Sequence, residues 1–199
     1  MFEISTLERV LEQSWTLLKL GASKRNHPMH LGVFCTKSEN GVAARTVVLR
    51  KVEPEERLII FHTDIRSSKI SEIKSSPDVA WLFYDPELQI QLRFTAKAEI
   101  HLSGERANEH WQKTQLTSRR CYITEHPPLY PVSEPVSGLK KHLIGRIPTA
   151  DESEEGRENF SVVVTKAMKL DWLYLDSAGH KRAVFDWQSG QMQANWVIP

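Results

Sequence analysis

Leu88-Gln89-Ile90-Gln91-Leu92-Arg93-Phe94-Thr95-Ala96-Lys97-Ala98 alternates along its whole length. Leu88, Ile90, Leu92, Phe94, Ala96 and Ala98 fall on one face, and Gln89, Gln91, Arg93, Thr95 and Lys97 on the other. A period of two belongs to a β-strand, whose successive side chains point to opposite sides of the sheet. The apolar face predicts a core. The opposite face, with two amides and two cations, is either plainly solvated or the floor of a polar site.

Working outward, the same period recurs. Strands are expected over 31–36, 42–52, 58–63, 79–84 and 88–101, and again over 160–167, 170–175, 182–187 and 191–197. Asn40-Gly41 carries a hairpin signal between the first two. Helices are fewer. Ser5 and Glu8 form a capping-box pattern ahead of Leu7, Val10, Leu11, Trp15 and Leu18 at helical spacing, with Gly21 as the expected stop. A short helix opens at Arg66-Ser67-Ser68-Lys69 and ends near Pro77, and Ser103 can cap another over 105–116. Residues 124–158, with Pro127, Pro128, Pro131 and Pro135 and a charged run, read as a long connection with a short helix over 138–144. About nine short strands with two or three helices suggest one mainly β domain over 1–199, an antiparallel barrel in which closure removes exposed edges. The helices alternate with strands too rarely for a doubly wound sheet.

Composition bounds the function. The 199 residues are 40% hydrophobic and 26% charged, which is ordinary for a globular chain. Lys and Arg number 26 against 25 Asp and Glu, a net +1, which argues against a nucleic-acid binder. No apolar run approaches the ~18 residues of a membrane span. The opening Met-Phe-Glu-Ile-Ser-Thr lacks the basic and apolar regions of a signal peptide. Two cysteines make neither a disulfide framework nor a zinc site, and the eight histidines show no ligand spacing. A cytoplasmic protein without a metal is expected.

Chemistry concentrates in two places. His62-Thr63-Asp64-Ile65-Arg66-Ser67-Ser68-Lys69 sets cations and hydroxyls at a strand-to-helix junction. Unpaired N–H groups at a helix start, with cations beside them, suit an anion, and phosphate is the natural guest. The alternative is a capped and solvated helix start. In Arg45-Thr46-Val47-Val48-Leu49-Arg50, arginines bracket four strand formers. Arg45 and Arg50 are five apart, so strict alternation sends them to opposite faces. One ligand can use both only across a bulge, a strong twist or the strand's end.

The order of these pieces resembles the pyridoxamine 5′-phosphate oxidase-like FMN-binding proteins: Arg-x-Val-x-Leu-Arg, then Phe-His-Thr-Asp-x-Arg-Ser-Ser-Lys, then Gln-x-Arg-Phe-x-Ala-Lys-Ala-Glu, with Trp196-Val197-Ile198-Pro199 at the end. The resemblance implies an FMN-binding split β-barrel that works as a homodimer with FMN at the subunit interface. It implies cofactor contacts from Arg45, Thr46, Val47, Val48 and Arg50 on one strand. It places His62, Thr63, Arg66, Ser67, Ser68 and Lys69 at the cofactor, with Arg45 and Lys69 on its phosphate and Arg66 replacing an arginine whose position falls on Ser68. It brings Gln91 and Arg182 to the flavin ring. The substrate positions depart from the pattern. Ser118 fits a phosphate-binding serine, but an arginine position falls on Thr114 and a tyrosine position on His110. The implied function is therefore an FMN-dependent oxidoreductase on an unidentified small molecule. A true pyridoxine 5′-phosphate oxidase and a flavin-binding protein without turnover are the alternatives.

Overall fold

Thr6 caps the first helix: its hydroxyl accepts from the N–H of Arg9 at 3.2 Å. The computed structural model describes residues 4–199. Helix α1 spans Leu7–Ser23 and buries Val10, Ser14, Trp15, Leu17, Leu18 and Gly21. The cap is Thr6 rather than Ser5, and Gly21 does not stop the helix. A Cβ on Gly21 would lie 2.5 Å from the backbone of Met29, so this glycine is required by the close approach of the Pro28–His30 turn.

The strands are β1 (Leu31–Ser38), β2 (Gly41–Glu53), β3 (Leu58–Asp64), β4 (Asp78–Asp85), β5 (Ile90–His101), β6 (Phe160–Tyr174), β7 (Lys181–Asp186) and β8 (Gln193–Val197). They form one sheet in the order β3-β2-β1-β4-β5-β6-β7-β8, and β3 also pairs with β6. That last pairing closes six strands into a ring, with β7 and β8 continuing outward from β6. Pairings β1–β2, β1–β4, β2–β3, β4–β5, β6–β7 and β7–β8 are antiparallel. The described residues hold eight strands, not nine, because 160–174 runs unbroken. No Gly or Pro interrupts that stretch, so nothing ends the strand at Ala167.

The chain divides into two compact units. The first comprises residues up to Phe61, Glu72–Glu99 and Val164–Pro199. Ile90, Leu92, Phe94 and Ala96 are buried there, as the alternation requires. They join an aromatic core in which Phe34, Phe61 and Trp81 approach within 4.7–5.4 Å and Trp81 stacks on Phe83 at 5.3 Å. The indole N–H of Trp81 donates to the Thr165 hydroxyl at 3.0 Å, so that ring's polar edge is satisfied.

Strand β2 pairs with β1 over Gly41–Val48 and with β3 from Leu49 onward. Between Leu49 and Lys51 the register slips by one residue, a β-bulge at Arg50. Leu49 and Val52 are accordingly both buried at a spacing of three.

The second unit comprises His62–Ser71 and Ile100–Val163. It holds α3 (Gly104–Lys113), α4 (Leu116–Arg119) and α5 (Ala150–Glu154), while α2 (Ser68–Ser75) begins in it. The helix expected over 105–116 breaks at Thr114, whose N–H turns back to the Trp111 carbonyl at 3.0 Å. In the expected connection, Lys141–Leu143 forms only a 3₁₀ turn, and the true helix is α5 with a complete Thr149–Glu152 capping box. Among the described residues, no helix is long and apolar enough to cross a membrane.

Candidate functional site

Strand β3 ends at Asp64, and the chain turns before α2 starts at Ser68. The turn is pinned locally. The Asp64 carboxylate accepts the Arg66 N–H at 2.8 Å, and the Asp64 carbonyl accepts the Ser67 N–H at 3.1 Å. This places Lys69 in the first turn of α2. Its ammonium donates to the Thr63 hydroxyl at 3.0 Å and the Ser67 hydroxyl at 2.9 Å, both on buried residues. The structure thus brings Thr63, Ser67 and Lys69 together, beside helix-start N–H groups that have no intrahelical acceptor. Ser68 is exposed next to them.

Arg66 does something else. It meets the Asp64 carboxylate side-on, Nε to Oδ1 at 3.0 Å and Nη2 to Oδ2 at 2.7 Å, and reaches the Thr124 carbonyl and hydroxyl at 3.2 and 2.9 Å. The Asp64 hydrogen bond raises its pKa above the usual guanidinium value, so it stays charged and ties the turn to Thr124. His62 also departs from the Lys69 cluster. Alternation turns it to the other face from Thr63, where its Nε2 lies 2.8 Å from Nδ1 of His110 and its ring packs 4.8 Å from Phe160.

In the first unit, Arg45 pairs with Glu72 at 2.8 Å and donates to the buried Thr36 hydroxyl. Thr46 is exposed, Val47 and Val48 are half-buried, and Arg50 sits in the bulge. Gln91 is half-buried on the polar face of β5. Arg182 on β7 grips Asp171 on β6 through Nε at 2.9 Å and Nη2 at 2.6 Å, and Arg93 on β5 donates to the same carboxylate. Burial pushes the pKa of Asp171 up, but the hydrogen bonds from Arg182 and Arg93 outweigh it and leave it below the usual carboxylate range. Asp171 and Glu72 escaped the sequence reading. A lone acid inside the apolar run Leu170-Asp171-Trp172-Leu173 was the available signal for the first.

A closed ring of six strands, with a lysine and two hydroxyls at a strand-to-helix junction, has the architecture of a split β-barrel. Residues 6–102 match the family described as pyridoxamine 5′-phosphate oxidase, FMN-binding domain. That match spans just under half of the chain, and the cofactor of the matched domain is FMN. No curated protein matches the sequence.

Solved structures agree on the fold. A pyridoxamine 5′-phosphate oxidase-related, FMN binding protein from Nostoc punctiforme aligns over 94% of this chain and 96% of its own, with TM-score 0.70 and 18% identity. PhzG from Burkholderia lata, solved with tetrahydrophenazine-1-carboxylic acid, aligns over 99% and 95%, with TM-score 0.71 and 13% identity. A protein of the pyridoxinephosphate oxidase family from Clostridium acetobutylicum, related to general stress protein 26, aligns over 92% and 97%, with TM-score 0.56 and 14% identity.

The residues present fit the cofactor. An ammonium and two hydroxyls are the donors a phosphate dianion takes, and Thr63, Ser67 and Lys69 supply them from one turn.

Proposed function

We propose that this chain is a cytoplasmic FMN-dependent oxidoreductase that works as a homodimer on a small organic molecule. The observation that carries the reading is the Lys69 cluster. Its ammonium is already oriented by Thr63 and Ser67, so a phosphate would meet donors fixed in place. Arg45 is the second cation proposed for the cofactor, with Thr46, Val47, Val48 and Arg50 along the same strand. Gln91 and Arg182 would face the ring. FMN supplies two-electron chemistry when bound, and the protein's part is to bind it, orient it and supply charge near it.

The substrate we propose is not a vitamin B6 phosphate. Where the resemblance puts a tyrosine, His110 hydrogen-bonds His62, and where it puts an arginine, Thr114 donates to the His110 carbonyl at 2.7 Å. Both positions serve α3 and its packing, and neither supplies the cation a second phosphate needs. PhzG, of the same fold, was solved with a ring-bearing acid, and a molecule of that size is the substrate class in view.

The test has three arms. Purified protein should carry a flavin spectrum and scatter light as a dimer. Anaerobic NADH or NADPH should bleach the flavin, and pyridoxine 5′-phosphate should not. Lys69→Ala should weaken FMN about ten- to a hundredfold, the worth of one charge-assisted hydrogen bond of about 1.5–3 kcal/mol, and leave riboflavin binding unchanged. Equal weakening of both ligands would remove Lys69 from the phosphate.

A further inference from the structure

Asp171 sits on β6, the strand between β5 and β7 in the sheet order. It is 9% exposed, and it accepts hydrogen bonds from an arginine on each flanking strand. Arg182 engages it by two N–H groups, which fixes the plane of that guanidinium. Arg93 engages it through one terminal nitrogen, and its side chain is half exposed at 51%. Two guanidiniums and one carboxylate leave a net charge of +1 on this sheet face. Gln91 precedes Arg93 by two residues and shares its face.

Strand stapling explains this poorly. The β6–β7 ladder is continuous across Asp171, from Lys169↔Asp186 to Tyr174↔Lys181, without help from side chains. A buried ion pair is also a weak stabiliser compared with apolar residues of the same volume. What the arrangement does supply is orientation and a set charge: two cations that would repel each other are held side by side by one anion.

We propose that Asp171 is a positioning residue of the flavin site, which holds Arg93 and Arg182 together on the sheet face and keeps the local charge at +1 rather than +2. The proposal rests on the reading that Gln91 and Arg182 face the flavin ring. Reduced FMN is more negative than oxidised FMN, so net positive charge near the ring favours reduction, and Asp171 limits how far. Arg182 supplies the oriented donors, Arg93 the second charge, and Asp171 sets their sum.

The experiment is the midpoint potential of bound FMN in the full chain and in three variants. Asp171→Asn removes the negative charge and should shift the equilibrium toward reduced FMN at least tenfold, about 30 mV upward for a two-electron couple. Arg93→Gln removes a positive charge and should shift it the opposite way. Asp171→Glu keeps the charge and should stay within about threefold of the parent. A role confined to stability would alter melting temperature and leave all the potentials together. The proposal falls if both charge-changing variants bind FMN and move the equilibrium less than twofold, or move it in the same direction. If Asp171→Asn does not fold, Arg93→Gln decides by itself: a potential that fails to drop overturns the idea. A parent protein that binds no FMN sinks the proposed function as well, whereas FMN bound at an unmoved potential sinks only this inference.

Discussion

The two compact units are held by different physics. In the first, long strands bury alternate side chains and a cluster of aromatic rings, so stability is spread over many similar contacts. In the second, helices are short and a few polar side chains tie the backbone down. Arg119 donates to the Thr114 and Trp111 carbonyls at 3.1 and 2.8 Å, to the Ser153 hydroxyl at 3.1 Å and to Glu154 at 2.7 Å, over the face of Trp111. Asn159 donates to the Tyr122 carbonyl at 2.8 Å, and Arg66 closes onto Thr124. The difference teaches that in the barrel a residue matters through its volume, and in the helical unit through its hydrogen bonds.

Substitutions can break this contrast. The largest effect is expected at Trp81. Trp81→Ala empties the centre of the ring cluster and removes the donor to the Thr165 hydroxyl, which keeps its bond to the Ile59 carbonyl, and chemical denaturation should show a loss of about 3–5 kcal/mol. Next comes Arg119→Met, which keeps much of the volume and removes the donors. It should cost about 2–4 kcal/mol, tempered by the half-exposed Glu154, and hydrogen exchange should quicken first in 114–158. If exchange quickened equally in β4 and β5, the separation into two regimes would be wrong. Gly21→Ala should cost about 1–3 kcal/mol by thermal denaturation, because the added methyl meets the backbone of Met29.

Two smaller effects sharpen the electrostatic side. Asp171 has a folded-state pKa below its unfolded one, so its stabilisation is present at neutral pH and is lost as pH falls below the usual carboxylate range. With Arg93 half exposed, the amount is about 1 kcal/mol or less, and Asp171→Asn should flatten that part of the acid-unfolding curve. The smallest effect is at Glu152. The Arg146 hydrogen bond and the Thr149 N–H hold its pKa at about 2, and an NMR titration should recover that midpoint, with Arg146→Ala returning it toward the ordinary value.

The barrel was largely legible in the sequence because a strand declares itself through a local period. Ile90 to Ala96 bury as alternation demands, and the junction from Thr63 to Lys69 lies where the hydroxyls and cations signalled it. Arg66 shows the limit. Its type and position suit a phosphate, yet Asp64 and Thr124 take its donors, and the Thr124 contact spans 58 residues of sequence. The same holds for His62, which faces His110, 48 residues away. Helix α5 was legible in principle, since Thr149 and Glu152 make a capping-box pattern, but four prolines nearby made the whole stretch read as connection. Asp171 declares its partners only once β5, β6 and β7 lie side by side.

The bulge at Arg50 works as a phase shifter. Up to Val48 β2 runs in step with β1, and from Leu49 it pairs with β3 across the slip. One surplus residue on β2 sets Lys51 opposite Ile60 directly after Leu49 opposite Phe61. Strict alternation from Leu49 without that slip would turn Lys51 inward and Val52 outward, opposite to the burial they now have. An arginine proposed to face the cofactor therefore also sits where β2 changes step against β3, and any chemistry placed there is constrained first by geometry.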